Sequence, residues 1–104
     1  MSLTPAQIEQ RLQELEQDLG NRQNLYAEAA EKWHRILRDR EHRHAVEFMR
    51  AEGSVTERRE RARQETALIG MAEEAEYEGL RAAIKVMETR AMIGMALLKS
   101  AGRA

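Results

Sequence analysis

Apolar residues recur along the first half of the chain at alternating spacings of three and four. Ile8, Leu12, Leu15, Leu19, Tyr26, Ala29, Trp33 and Ile36 make up the series, and only Arg22 interrupts it. That period is close to a heptad and predicts a long amphipathic helix with a seam for a partner helix. Beyond Ile36 the stripe drifts to Leu37, His44 or Ala45, and Phe48, and the flanking positions become charged. A second stripe occupies the other half: Ile69, Tyr77, Leu80, Ile84, Met87, Ala91, Met95 and Leu98.

The stretch Arg50-Ala51-Glu52-Gly53-Ser54-Val55-Thr56-Glu57-Arg58 lies between the two stripes. Gly53 suits the left-handed position that ends a helix, because it has no Cβ to clash there. Ser54 can accept a hydrogen bond from the Glu57 backbone N–H, and Glu57 can reach back to the Ser54 N–H. That is a capping box. The pattern predicts a helix over 5–52, a tip at 53–54 and one helix over 55–99. Thr4-Pro5-Ala6-Gln7 opens the first helix, with Thr4 as N-cap, Pro5 at the first helical position and Gln7 closing a second capping box. Gly20-Asn21 is the weak point of that helix, since a mid-helix Gly costs about 1 kcal/mol relative to Ala. A continuous or slightly bent helix is expected there. Lys99–Ala104 is expected to fray.

Folding back about the tip pairs residues whose numbers sum to about 107, because both helices rise ~1.5 Å per residue. Leu80 then meets Tyr26, Met87 meets Gly20, Leu98 meets Ile8, and Tyr77 meets Ala29 and Ala30. The two stripes agree over most of their length. The expected fold class is all-α: a long antiparallel helical hairpin, coiled-coil-like, forming a single domain over 1–104.

Composition limits the core. Aromatics are 4% of the chain, so the core must come from Leu, Ile, Met and Ala. Two helices bury little apolar surface by themselves. Ala91-Met92-Ile93-Gly94-Met95-Ala96-Leu97-Leu98 is apolar on every side, and one facing helix covers only one side. Ala91, Met92, Ile93, Met95, Leu97 and Leu98 are therefore expected to form an oligomer interface. The simplest product is a homodimer forming a four-helix bundle. The chain has no Cys, which excludes disulfides and thiolate metal sites. Met1–Pro5 lacks a basic region followed by an apolar run, so no signal peptide is expected. The longest apolar run is too short for a bilayer, which needs ~20 residues. No membrane partner and a cytoplasmic location are expected.

The net charge of −1 conceals an uneven layout. Residues 1–31 carry two basic and six acidic groups, residues 32–63 ten basic and six acidic, and residues 64–104 five basic and six acidic. The tip therefore reads as basic and the open end as acidic. Arg50, Arg58, Arg59, Arg61 and Arg63 lie close together in such a hairpin, with Arg40 and Arg43 about two turns further along. A group of this kind can neutralise phosphates and release counterions. It can equally be a solvated turn, partly cancelled by Glu52, Glu57, Glu60 and Glu65, or a dock for an acidic protein.

Other chemistry is sparse. Glu41-x-x-His44 has the spacing that places two metal ligands on one helix face. No second motif accompanies it, and Arg40, Arg43 and His42 beside it oppose a cation. No metal site and no cofactor are expected. Glu73, Glu74, Glu76 and Glu78 supply carboxylates without a paired acid, base or nucleophile. No Gly-rich phosphate loop and no Ser, Cys or His triad is present. The chain reads as no enzyme, with no small-molecule substrate.

Ala51-Glu52-Gly53-Ser54-Val55-Thr56-Glu57-Arg58 and the closing Leu80…Ile84…Leu97-Leu98-Lys99 resemble a pattern in small helical proteins of tailed bacteriophages and prophages. The resemblance covers roughly the second half of the chain. It implies an accessory or adaptor associated with phage DNA replication and recombination, in the host cytoplasm, and carries over no catalytic residue. The resulting expectation is a dimeric, non-enzymatic adaptor whose basic tip touches DNA or a nucleoprotein. The alternative is a scaffold or chaperone for virion parts that acts through its apolar C-terminal helix.

Overall fold

The computed structural model describes residues 3–102, which are mostly helical with no strand among them. Three helices follow in order: α1 is Pro5–Arg50, α2 is Val55–Thr66 and α3 is Met71–Gly102. α1 begins as its capping box dictates. The Gln7 N–H donates to Thr4 Oγ1 at 3.2 Å, and the Thr4 N–H donates to Gln7 Oε1 at 2.9 Å. Gly20 leaves α1 unbroken. A Cβ added there would meet nothing within 4 Å, so no neighbour forces the backbone out of the helix.

The turn after α1 also follows the sequence, with two differences. α1 stops at Arg50 rather than at 52, and the last turn is closed by the Ala51 N–H donating to the Glu47 carbonyl at 3.0 Å. Gly53 takes φ +110, in the region that favours glycine. Ser54 caps α2 by accepting from the Glu57 N–H at 3.2 Å. Glu57 does not return to the Ser54 N–H. Its Oε1 instead accepts from the Ser54 hydroxyl at 3.1 Å.

The expected single helix over 55–99 is two helices. α2 ends at Thr66, and residues 67–70 form a turn that leads into α3. The Ile69 N–H donates to the Thr66 carbonyl at 3.2 Å, and Gly70 takes φ +79. The cause is packing against α1. A Cβ on Gly70 would stand 2.6 Å from Ile36 Cγ2 and 2.9 Å from Trp33 Cζ3. Glycine lets the backbone close onto Trp33, and the chain leaves the helix to do so. Thr66, itself buried, donates its hydroxyl to the Ala62 carbonyl at 2.9 Å, a local bond that weakens a helix end. α3 then runs through Lys99 and Ser100 to Gly102, so the expected fraying does not extend over that range. Arg103 and Ala104 lie outside the described residues.

The chain divides into two compact units. One pairs the chain up to Ala27 with the chain from Glu78 onward, and the other is Glu28–Tyr77. Within the first, Leu12 packs on Gly94, one residue from the expected register. Within the second, Trp33 is the largest buried side chain, at 6% exposure. Tyr77, expected against Ala29 and Ala30, meets the His34 ring, centroids 5.7 Å apart and tilted 58°. The core is thin. Among the described residues the buried apolar side chains are Ile8 and Met87 in the first unit and Ala29, Trp33 and Ala62 in the second, and no large one is fully enclosed.

Candidate interaction surfaces

The apolar part of α3 divides into two faces. Ala91 and Leu98 are half-buried, on the side where Gly94 touches Leu12. Met92, Ile93, Met95 and Leu97 are exposed, Met92 at 72%, Ile93 at 56% and Leu97 at 49%. The expected interface residues thus fall into a pair serving the chain's own packing and four left in solvent. Val86 joins the exposed set at 52%. Beside it lies an open groove of about 570 Å³ within the first unit. Leu3, Leu12 and Leu15 line one wall, Ile93 and Leu97 the other. Arg11, Glu14, Asp18 and Arg90 stand at its edges.

The expected inward stripe of Ala91, Met95 and Leu98 holds for Ala91 and Leu98, whereas Met95 is 64% exposed. The exposed side has a signal of its own in the sequence. Val86, Arg90, Ile93 and Leu97 are spaced four, three and four apart, a second stripe set about 100° round the helix from the first. Arg90 within it hides the pattern from a hydrophobicity reading.

The seven candidate arginines meet four different fates. Arg40 is half-buried with its guanidinium 5.4 Å from the centre of the Trp33 ring, a cation–π contact. Arg63 forks onto Glu60, with Nη2 donating to the two carboxylate oxygens at 2.7 and 2.8 Å. Arg58 is half-buried, its Nε shielded from solvent and without a hydrogen-bond partner. Arg43, Arg50, Arg59 and Arg61 are exposed and make no hydrogen bond or ion pair among the described residues. Arg50 and Arg61 meet at a polar hollow that also holds Glu47 and Glu52.

The charge layout is more balanced than the linear count suggests. The unit Glu28–Tyr77 carries ten basic and twelve acidic side chains, because Glu65, Glu73, Glu74 and Glu76 fold into it. The open end is not uniformly acidic either. Residues 5–27 carry four acidic and two basic groups, while residues 78–102 carry two acidic and four basic. The expected basic tip is therefore a local excess at the turn, and the expected acidic end is confined to α1.

Glu41 and His44 share a shallow pocket with Arg40 and Thr66, so a fixed positive charge sits where a metal would bind. Among the described residues no group of three or more His, Cys, Asp or Glu could hold a metal ion. No helix among them is long and apolar enough to cross a membrane. No family model matches the chain, and no curated protein or solved structure matches it.

Proposed function

We propose that the chain is a non-enzymatic helical assembly protein that works as a homodimer, most simply a four-helix bundle. The observation that carries this reading is the exposed apolar surface of α3, with Met92, Ile93, Met95 and Leu97 in solvent beside a leucine-lined groove. Exposed apolar patches bordered by charges mark interaction sites. The thin core supports the reading, since a helix pair with so few buried residues gains stability from a partner that covers its remaining face. The assembly role is that of an adaptor or scaffold among phage-type accessory proteins in the cytoplasm. Light scattering at tens of micromolar tests it: a mass above the 12.0 kDa of one chain is expected, and a strictly monomeric protein would overturn the reading.

A second reading has its own support. Arg43, Arg50, Arg59 and Arg61 are exposed and free of ion pairs, the state required of side chains that neutralise phosphates. The accessory would then contact DNA or a nucleoprotein during replication or recombination. Glu47 and Glu52 beside Arg50 and Arg61 count against strong binding. Fluorescence anisotropy with labelled single- and double-stranded DNA at two salt concentrations decides it. Binding that weakens steeply with salt would support this reading, and none at low salt would remove it.

A further inference from the structure

Val86, Arg90, Ile93 and Leu97 form an exposed stripe on α3, and its Arg90, Ile93 and Leu97 also wall the groove beside α1. We infer that α3 of a second copy fills this groove, antiparallel to the first, with Arg90 of each chain reaching Glu14 of the other. The inference rests on the self-association proposed above and specifies its face, register and charge pairing.

A two-fold interface sets one patch against itself, so the patch must be self-complementary. This patch is. Its apolar wall and its leucine floor belong to the same chain, and each copy supplies both. Its charges are complementary too. The α3 stretch 78–102 has an excess of two basic groups, and the α1 stretch 5–27 an excess of two acidic ones. A helix entering the groove lies against α1 as well as α3. The basic α3 of one copy therefore meets the acidic α1 of the other.

The register follows from spacing. With the two-fold axis between Ala91 and Met92, Val86 faces the partner's Leu97 and Arg90 faces the partner's Ile93. In each chain Leu12 stands against Gly94. The same register therefore brings Arg90 level with the partner's Gln13 and Glu14. Both charges are available. Arg90 makes no hydrogen bond or ion pair among the described residues, and Glu14 has only a 3.5 Å contact from the Gln10 amide. Asp18, also at the groove edge, is already approached by Arg22 at 3.8 Å.

The test uses the full chain and two charge reversals, Arg90→Glu and Glu14→Arg, both at exposed helical positions, with circular dichroism to check folding. Each variant alone puts like charges together twice per dimer, and its self-association measured by sedimentation should weaken about tenfold. Mixing the two variants restores opposite charges only between chains, so the mixture should associate close to wild-type strength. Variants that weaken association but fail to rescue each other on mixing would place the pair within one chain and overturn the inference. Variants that leave dimerisation unchanged would overturn it too, while homodimerisation itself stood. A monomeric wild-type chain would overturn both.

Discussion

Gly70→Ala tests the least expected feature of the fold, because the two arrangements available to this segment give opposite signs. In a continuous helix over 55–99, alanine for glycine would stabilise the chain by about 1 kcal/mol through propensity. In the observed turn Gly70 sits at φ +79, and an L-residue in the left-handed region costs about 1–2 kcal/mol. The new Cβ would stand 2.6 Å from Ile36 Cγ2 and 2.9 Å from Trp33 Cζ3. Both belong to the packed side of α1, and making room in such a site costs about 1–3 kcal/mol. Reduced freedom of the unfolded chain returns about 0.5 kcal/mol. The expected net destabilisation is about 2–4 kcal/mol, which for a chain of this size lowers Tm by roughly 10 °C or more. Urea unfolding followed by Trp33 fluorescence is the assay, because the chain has one Trp and it touches the substituted position. Gly20→Ala is the internal control. With nothing within 4 Å of its Cβ, it should stabilise by about 1 kcal/mol. A Gly70→Ala protein as stable as wild type, or more so, would refute the turn and support one unbroken helix.

Ser54→Ala removes the cap of α2 and should cost about 1 kcal/mol in the same unfolding assay. Leu97→Asp should abolish self-association while helicity by circular dichroism is retained. It loses about 1 kcal/mol of apolar burial per chain and adds a carboxylate that the interface would have to desolvate. Replacing Arg43, Arg50, Arg59 and Arg61 together by Ala should remove any salt-sensitive DNA binding seen by anisotropy. Arg63→Ala alone should barely change it, since Glu60 already holds that guanidinium.

Local chemistry was readable in the chain wherever it was self-contained. The Thr4–Gln7 box, the Ser54 cap and the left-handed Gly53 depend on residues within a few positions of each other, and each forms where its spacing put it. The approximate pairing register was readable too, because two stripes of matching period constrain it, as Leu12 against Gly94 illustrates. The break at Gly70 was not. Gly20 and Gly70 both follow an apolar residue in a helical pattern, and Gly20, with Asn21 after it, carries the stronger break signal of the two. Gly20 has no neighbour within 4 Å of its Cβ position and stays helical, while Gly70 lies on Trp33 and does not. That difference is tertiary and leaves no mark on the local sequence. The arginines show a similar limit. Five arginines at the tip, with Arg40 and Arg43 about two turns further along, looked alike in the sequence, but an aromatic ring claims Arg40 and a carboxylate claims Arg63. The linear charge count likewise missed that Glu65, Glu73, Glu74 and Glu76 belong to the same compact unit as the turn.

Self-association through the exposed face of α3 is the claim on which the rest depends. Sedimentation equilibrium of the unmodified chain, from low to high micromolar concentration, measures it directly. The expected result is a reversible rise in mass from one chain of 12.0 kDa toward twice that value, with no larger species. A mass of one chain at every concentration would contradict the account and leave the exposed stripe of α3 to a different partner.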